Sequence, residues 1–437
     1  MECCKQTPLA VIGMACRVPG ADDLEQFWQL LVDGRCAIVE MPAARLDRDL
    51  YYDPRRGVRC KTYSSLGGTI EYRPFDASKC PVPARILPSA EVGHRELCQV
   101  AADACRHAGM NPFDLPLRNV GVYVGHNLGG AVAGDLIYAT RVEQTAQYLR
   151  ELERFHQAAA GAESEIVGEV VRRVRDSLPR RGPTGLPESY THMAAAILSE
   201  AFGLNGPSMI LDAACSSALQ GLAMASRALR LGRIDMAIVG GASFYHVDSQ
   251  MLFSNAQSAS ASGSFPFDER ADGLVAGEGY LAILVKTLER AVADGDPVLG
   301  VIRGIGVSAD GRGKSLWAPR AEGQVLAMRR AYEGGIDIDR LQFVEAHATS
   351  TRVGDLTELR ALAEILGTRR SGEKIPLGGV KANIGHTLES AGLAGLVKTI
   401  LAINHATIPR QIHIEQLNTG IDWDAALSTS QGDICHG

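Results

Sequence analysis

The feature that most constrains the fold of this chain is the alternation of short apolar runs with stretches of helical periodicity. Strand-like runs are predicted at 9–14, 120–124, 209–211, 236–239, 281–285, 298–307, 343–346 and 375–378. Helical spacing of apolar residues falls between most of these runs, for example at 24–32 and 91–107. This order predicts a layered α/β fold, in which helices cover the faces of a central sheet.

Three segments depart from the alternation. Residues 45–83 are rich in Arg, Asp, Tyr and Gly, which predicts an irregular surface excursion. Residues 143–177 predict one or two polar-faced helices outside the central layers. Residues 421–437 drift into Ser, Thr, Gln and Gly, so neither a closing strand nor a closing helix is expected there.

Length and composition exclude several classes of function. A chain of 437 residues predicts one large domain or two fused halves. Its formal charge of -6 gives no electrostatic reason to expect nucleic acid as a partner. No stretch approaches the roughly 20 apolar residues of a membrane span, and the start lacks a signal-peptide core, so a cytoplasmic location is expected. The ten cysteines include no pair at zinc-ligand spacing and are expected to be free thiols.

Cys215 lies between a predicted strand and a predicted helix. The helix from 216 to about 231 is rich in Ala, Gly, Leu and Ser, and Gly232 is expected to end it. Because the N-terminus of this helix would point at Cys215, its dipole would favour the thiolate. Most free cysteines are simply small buried hydrophobes, but the strand-turn-helix setting favours a nucleophile.

His347 and His386 each follow a predicted strand and enter a polar turn. In open α/β sheets such strand ends converge on ligand sites, so both rings are expected to meet Cys215 in one pocket. A single histidine at a strand end is more often structural. Two histidines in matching contexts favour a functional site.

Three motifs resemble the signatures of β-ketoacyl synthases, in order and at family-like spacing: 212–217 (DAACSS), 345–351 (EAHATST) and 381–386 (KANIGH). The resemblance extends from 8–16 through 267–273 and 277–279 to about Trp423, which is nearly the whole chain. Residues 310–320 look most like type I synthases of the polyunsaturated-fatty-acid, heterocyst-glycolipid and enediyne kind.

The family resemblance implies a thiolase-like five-layer αβαβα fold built from two similar halves, usually in a homodimer. The first half would span 6–260 and carry the nucleophile. The second would span 261–424 and carry both histidines, followed by a tail of unclear structure at 425–437.

The resemblance also implies a decarboxylative Claisen condensation. Cys215 would accept an acyl chain from the phosphopantetheine thiol of an acyl carrier protein or from coenzyme A. A malonyl-type extender would lose carbon dioxide, and His347 and His386 would stabilise its enolate. The implied supporting residues are Lys381 and Glu358, with Thr349 and Thr351 contacting the pantetheine arm. No metal and no directly bound organic cofactor is expected.

The sequence departs from the family pattern at two places. The family usually has Gly where Ala348 and Ser350 stand, so these side chains are expected to narrow the pantetheine channel. The family also closes with a strand and a Gly-Phe-Gly-Gly-Thr-Asn-type loop that supplies an oxyanion donor, and no such motif follows His386. The second half is therefore expected to be truncated, and losing one oxyanion donor typically costs roughly 10²–10³ in rate.

Two alternative functions remain open from the sequence. The first is a non-catalytic ketosynthase-like fragment that dimerises or docks a carrier protein, which the missing motif favours and the retained Cys215 and histidines oppose. The second is a thiolase-type enzyme that condenses coenzyme A thioesters without decarboxylation. That class uses another cysteine near the C-terminus, and Cys435 lacks the expected surroundings.

Overall fold

The computed structural model describes residues 7–88, 90–127, 130–159, 161–177, 190–313, 315, 317–367, 369–370, 374–420, 423 and 427–429. The strands are β1 (Leu9–Arg17), β2 (Val39–Glu40), β3 (Leu66–Gly67), β4 (Val120–Gly125), β5 (Ser208–Leu211), β6 (Met236–Ser243), β7 (Gly279–Thr287), β8 (Gly300–Ile302), β9 (Val344–Glu345), β10 (Ile375–Gly378) and β11 (Leu427–Thr429). The helices are α1 (Leu24–Val32), α2 (Arg48–Tyr51), α3 (Val92–His107), α4 (Ala131–Glu151), α5 (Glu153–Ala159), α6 (Glu163–Ser177), α7 (Met193–Phe202), α8 (Ser217–Arg230), α9 (Val247–Asn255), α10 (Leu288–Asp294), α11 (Ala321–Tyr332), α12 (Arg352–Leu366), α13 (Lys381–Ile384) and α14 (Ala391–Asn404).

The larger sheet has six strands in the order β5-β4-β6-β7-β1-β8. Strand β4 runs parallel to β5 and β6, whereas β7 runs antiparallel to β6 and β1. Every residue of β1 and β6 is buried, as expected for strands that carry helices on both faces. Helices α3 and α7 pack on one face, and α1, α8 and α14 pack on the other.

The smaller sheet has the order β11-β10-β9, with all three strands parallel. Its apolar core joins β10 to α12 through side chains that include Leu359 and Leu377. Helix α14 contacts both β7 and β9, so α8 and α14 form the layer between the two sheets. The layers therefore alternate as αβαβα, which confirms the predicted architecture.

The structure corrects several local predictions. The strand expected over 298–307 is only Gly300–Ile302, because beyond it Gly304 and Gly306 lie against the backbone of α11. The segment 45–83 is not a surface excursion, since Leu46, Thr62 and Tyr63 are buried. The composition of residues 421–437 predicted no strand there, but strand β11 forms, because Leu427 pairs with Ile375 and joins the apolar core between β10 and α12. Residues 430–437 of the predicted tail lie outside the described part.

The region predicted as one or two outer helices contains three, α4 to α6, which begin earlier than expected at Ala131. They enclose a small core of their own, formed by Val142, Ala146, Val167 and Val171. The predicted division of the halves at 260/261 precedes β7, which is a member of the first sheet. Within the described residues, every helix is too short or too polar to cross a membrane.

Candidate active site

Cys215 lies in a tight turn between the end of β5 and the start of α8. Ala214 has a left-handed backbone with φ of 50°, and the Ser217 hydroxyl holds the turn by accepting from the Ala213 N–H at 2.8 Å and donating to the Ala214 carbonyl at 2.5 Å. A Cβ on Gly125 would stand 2.4 Å from the Ala218 nitrogen, so only glycine lets β4 approach the first turn of α8 this closely. The turn therefore fixes Cys215 at the N-terminus of α8, as predicted.

The environment of Cys215 does not favour the thiolate in the free protein. Burial raises the pKa of the Cys215 thiol, and the nearby Glu389 carboxyl adds to the rise, whereas the Lys381 ammonium opposes it. The expectation that the thiolate would be favoured is therefore wrong, because desolvation is the largest influence on this thiol. Cys215 is expected to lose its proton as it attacks rather than to rest as a thiolate.

His347 follows β9 on a strained loop that a carboxylate holds in place. The Glu358 carboxylate accepts from the His347 N–H at 2.6 Å and from the Ala348 N–H at 2.8 Å. Ala348 and Ser350 have left-handed φ angles of 49° and 63°, which non-glycine residues rarely adopt. Solvent still reaches His347, so its ring lines an open pocket.

His386 is buried in the turn that follows α13. Its Nδ1 accepts from the Leu388 N–H at 3.1 Å, so in the neutral ring the proton sits on Nε2. The His347 and His386 rings meet edge to face with centroids 5.4 Å apart. Cys215 Sγ and one nitrogen of each ring lie within 4.8 Å of one another, so the structure brings the three predicted residues together.

Both imidazoles are neutral near pH 7. Burial lowers the pKa of His347 and His386, and the positive charge of Lys381 lowers both further. Desolvation acts more fully on His386, which is buried, than on His347, which solvent reaches. A neutral ring whose Nδ1 already accepts a hydrogen bond presents an Nε2–H donor to the pocket.

The same three side chains have a donor set that proteins use for zinc, namely one thiol and two imidazoles. A metal bound at Nε2 of His386 would require a proton on Nδ1. Nδ1 cannot carry that proton, because it accepts a hydrogen bond from the Leu388 N–H. The Lys381 ammonium would also repel a cation. The arrangement therefore suits an oxygen anion better than a metal ion.

Lys381 is buried among acidic side chains behind the histidines. Burial lowers the pKa of Lys381, while the carboxylates of Glu345 and Glu358 oppose that fall. Burial raises the pKa of Glu358 and raises that of Asp355 to about 7. Lys381 and Glu358 are thus placed together beside His347, in accordance with the family resemblance.

Several residues of this network were not singled out from the sequence. Glu345 accepts from the Val380 N–H at 2.6 Å and pairs with the Lys398 ammonium at 2.7 Å, both side chains being almost fully buried. Asp355 accepts from the N–H groups of Phe267 and Ser350 at 3.0 and 3.1 Å. Lys398 carried a sequence signal, because it is the only charged residue in α14.

Thr349 and Thr351 lie beside the site with their hydroxyl oxygens 2.9 Å apart. Ala348 and Ser350 do not narrow a channel as expected, because both are fully buried. The Ala348 methyl faces Gly379, and the Ser350 hydroxyl accepts from the Phe265 N–H at 2.8 Å. These two side chains therefore shape the loop rather than the opening.

Comparison with known proteins agrees with this geometry. Residues 6–291 match the family model of the β-ketoacyl synthase N-terminal domain, and residues 299–415 match that of the C-terminal domain. The chain belongs to the β-ketoacyl synthase family. Both histidines fall within the C-terminal match and Cys215 within the N-terminal match.

The relatives of this ketosynthase chain include much longer proteins. It is 33% identical over 420 residues to a mycocerosic acid synthase-like polyketide synthase of Mycolicibacterium smegmatis. This alignment covers 94% of this chain and 18% of that protein. It is 35% identical over 422 residues to the polyketide synthase ThaG of Burkholderia thailandensis, covering 95% and 7%. The ketosynthase from module 6 of the bacillaene synthase of Bacillus subtilis 168 superposes with a TM-score of 0.77 at 29% identity, covering 98% of this chain and 66% of that one. The chain therefore spans less than two thirds of these relatives.

Proposed function

We propose that this chain catalyses the decarboxylative Claisen condensation of polyketide or fatty acid biosynthesis. The observation that carries the proposal is the placement of Cys215 Sγ and two imidazole nitrogens within 4.8 Å of one another. The Cys215 thiol first takes the acyl group from a carrier thioester, and the carrier leaves as a thiol. The extender then loses carbon dioxide, its carbanion attacks the acyl carbonyl, and the Cys215 thiolate leaves and is reprotonated.

The residues around Cys215 suit the charge that develops in this reaction. Decarboxylation places negative charge on the thioester oxygen of the extender, where the Nε2–H of His386 is a preorganised donor. His347 is held at the same pocket by Glu358 and is the second donor. A donor of this kind is worth roughly 10²–10³ in rate.

The carrier protein enters the proposal as substrate and partner. Its phosphopantetheine arm would bring both the acyl group and the extender. Thr349 and Thr351, whose hydroxyl oxygens lie 2.9 Å apart, would contact that arm. The reaction needs no metal and no bound organic cofactor, because loss of carbon dioxide itself generates the carbanion. We place it in the cytoplasm, where carrier-linked thioesters would be available.

A second copy of the chain is the other proposed partner. Strand β5 is one of the two edge strands of the six-stranded sheet, and residues 212–214 that follow it are exposed. An uncovered edge is a template for pairing with another strand. A homodimer joined at β5 would cover the nucleophile turn, and sedimentation velocity would measure its formation directly.

The test is intact-mass spectrometry after incubation with an acyl carrier thioester, followed by malonyl carrier protein and a search for the β-ketoacyl product. We expect one acyl group on the protein, none on Cys215→Ala, and an acylated but non-condensing His386→Ala variant. Cys36→Ala removes an exposed thiol elsewhere and is the matched control. Folded protein that never acylates would point to the scaffold alternative instead.

A further inference from the structure

Glu389 lies in the turn that links His386 to α14, and this turn contacts the end of β6. Gly241 of β6 has no side chain, and a Cβ there would lie 2.7 Å from Ser390 Cβ and 3.4 Å from Ala218 Cβ. The turn therefore passes directly beside the first turn of α8, which follows Cys215 in the chain. Through the Leu388 N–H, the same turn fixes the proton position of His386.

The buried hydroxyl of Ser243 contacts three residues of this turn at hydrogen-bond distance. Its oxygen lies 2.6 Å from the Thr387 carbonyl, 2.9 Å from a Glu389 carboxyl oxygen and 3.2 Å from the Ser390 nitrogen. A serine hydroxyl donates once and accepts twice. The shortest of these contacts joins the Ser243 hydroxyl to the Thr387 carbonyl oxygen, which can only accept. The Ser243 hydroxyl must therefore donate its proton to that carbonyl.

The contact between Ser243 and Glu389 then needs a proton from the other partner. If Glu389 is a carboxylic acid, it donates to Ser243, and the Ser390 N–H, which it shares with the Thr387 carbonyl at 3.0 Å, supplies the second accepted bond, so all three contacts are satisfied. If Glu389 is a carboxylate, two acceptors compete for one hydroxyl proton. The crowding of acceptors at Ser243 therefore favours the protonated carboxyl. Burial and the nearby Asp212 raise the pKa of Glu389, and this outweighs the lowering by its bonds with Ser243 and with its own backbone N–H.

The charges around Glu389 come from each element packed near it. Asp212 and Cys215 follow β5, His126 follows β4 near Asp212, and Lys381 and His386 come from α13 and the turn after it. Only Lys381 is a fixed positive charge in this group. A carboxylate at Glu389 would therefore act on Cys215 as an opposing negative charge.

We propose that Glu389 is a positioning residue for Cys215 and His386. As a neutral acid it donates to Ser243 and holds the turn that carries the Leu388 N–H. As a carboxylate it opposes ionisation of the Cys215 thiol. The proposal rests on the proposed function only in taking Cys215 as the nucleophile.

The test is the pH dependence of Cys215 alkylation by iodoacetamide, measured by peptide mass spectrometry on the full chain. Glu389→Gln keeps a neutral hydrogen-bond donor but cannot ionise. The thiol ionises only at alkaline pH, where the Glu389 carboxyl has lost its proton, so the parent protein titrates against an opposing charge that the variant lacks. We therefore expect the alkylation midpoint of the variant to fall by about half a unit to one unit. Glu25→Gln, on the exposed face of α1, is the control and should leave the midpoint unchanged.

Condensation activity provides the second readout. Glu389→Gln should keep most of it, whereas Glu389→Ala loses the donor to Ser243 and should reduce it. An unchanged midpoint in Glu389→Gln would overturn the proposal, since a purely structural carboxyl does not tune the thiol. A shifted midpoint without β-ketoacyl product from any variant, the parent included, would reject the proposed function and leave the role of Glu389 standing.

Discussion

The close approach of Gly379 to Ala348 yields a quantitative prediction about the loop that carries His347. A Cβ added to Gly379 would stand 2.5 Å from the Ala348 Cβ, whereas apolar carbons prefer about 3.5–4.0 Å. Neither methyl can rotate away, and the Ala348 N–H is held by Glu358 at 2.8 Å. Gly379→Ala must therefore displace this loop by about 1 Å, because no side-chain torsion relieves the contact.

The expected energies follow from the two backbones. Gly379→Ala should cost about 1–3 kcal/mol of unfolding free energy through overpacking. Ala348→Gly loses about 0.8 kcal/mol of methyl burial but relieves about 1–2 kcal/mol of left-handed strain, so alone it should be neutral or slightly stabilising. The double variant should recover most of the loss, which corresponds to a coupling energy of about 1–3 kcal/mol.

Urea unfolding of the four proteins measures this coupling, and the condensation assay reports the position of His347. We expect Gly379→Ala to acylate at Cys215 but to condense slowly, with both properties restored by Ala348→Gly. Simple additivity of the two stability changes would refute the steric reasoning. So would a Gly379→Ala protein with unaltered stability and activity.

Three further predictions concern buried charges. Lys398→Met should cost about 3–5 kcal/mol, measured by urea unfolding, because it removes the ion-pair partner of the buried Glu345 carboxylate, and adding Glu345→Gln should recover much of this loss. Glu358→Gln replaces one acceptor oxygen with a donor, so slower condensation with normal acylation of Cys215 is expected, and equal losses in both steps would contradict it. Because the pKa of His386 is lowered in the folded protein, the unfolded chain binds a proton below about pH 6.5 that the folded chain does not, and the free energy of unfolding decreases as the pH decreases. His386→Gln should lessen this loss of stability between pH 7 and pH 5 by up to about 2 kcal/mol. Identical pH profiles for the two proteins would disprove this.

Much of the fold was predictable because its strands are continuous apolar runs between helices of regular period. The predicted bounds of α1 and β10 agree with the structure, and β1 and β7 extend their predicted runs by a few residues. The failures have a tertiary cause. Ile305 and Val307 continue the alternation of the predicted strand, but Gly304 and Gly306 hold this segment against α11. The two glycines are the local signal of a close backbone approach, but the helix that they contact lies about 20 residues further along the chain.

The site was predictable in its residues but not in its electrostatics. Cys215, His347 and His386 were identified by motif, and the structure places them together. The direction of the Cys215 pKa shift was predicted wrongly, because a helix terminus can be seen in the sequence whereas burial cannot. Lys398 and Asp355 were missed for a related reason: their partners, Glu345 and the Phe267 backbone, come from other elements.

The turns that present the reactive groups share one construction. Ala214 precedes Cys215 and Ala348 follows His347, and both have the left-handed backbone that costs a non-glycine residue about 1–2 kcal/mol. Each bend is locked by a side chain from the following helix, Ser217 for the first and Glu358 for the second. Strain of this kind persists only where the surroundings impose it. The reactive thiol and imidazole are therefore positioned by backbone conformations that side chains of α8 and α12 hold in place, which ties the geometry of the site to the stability of those two helices.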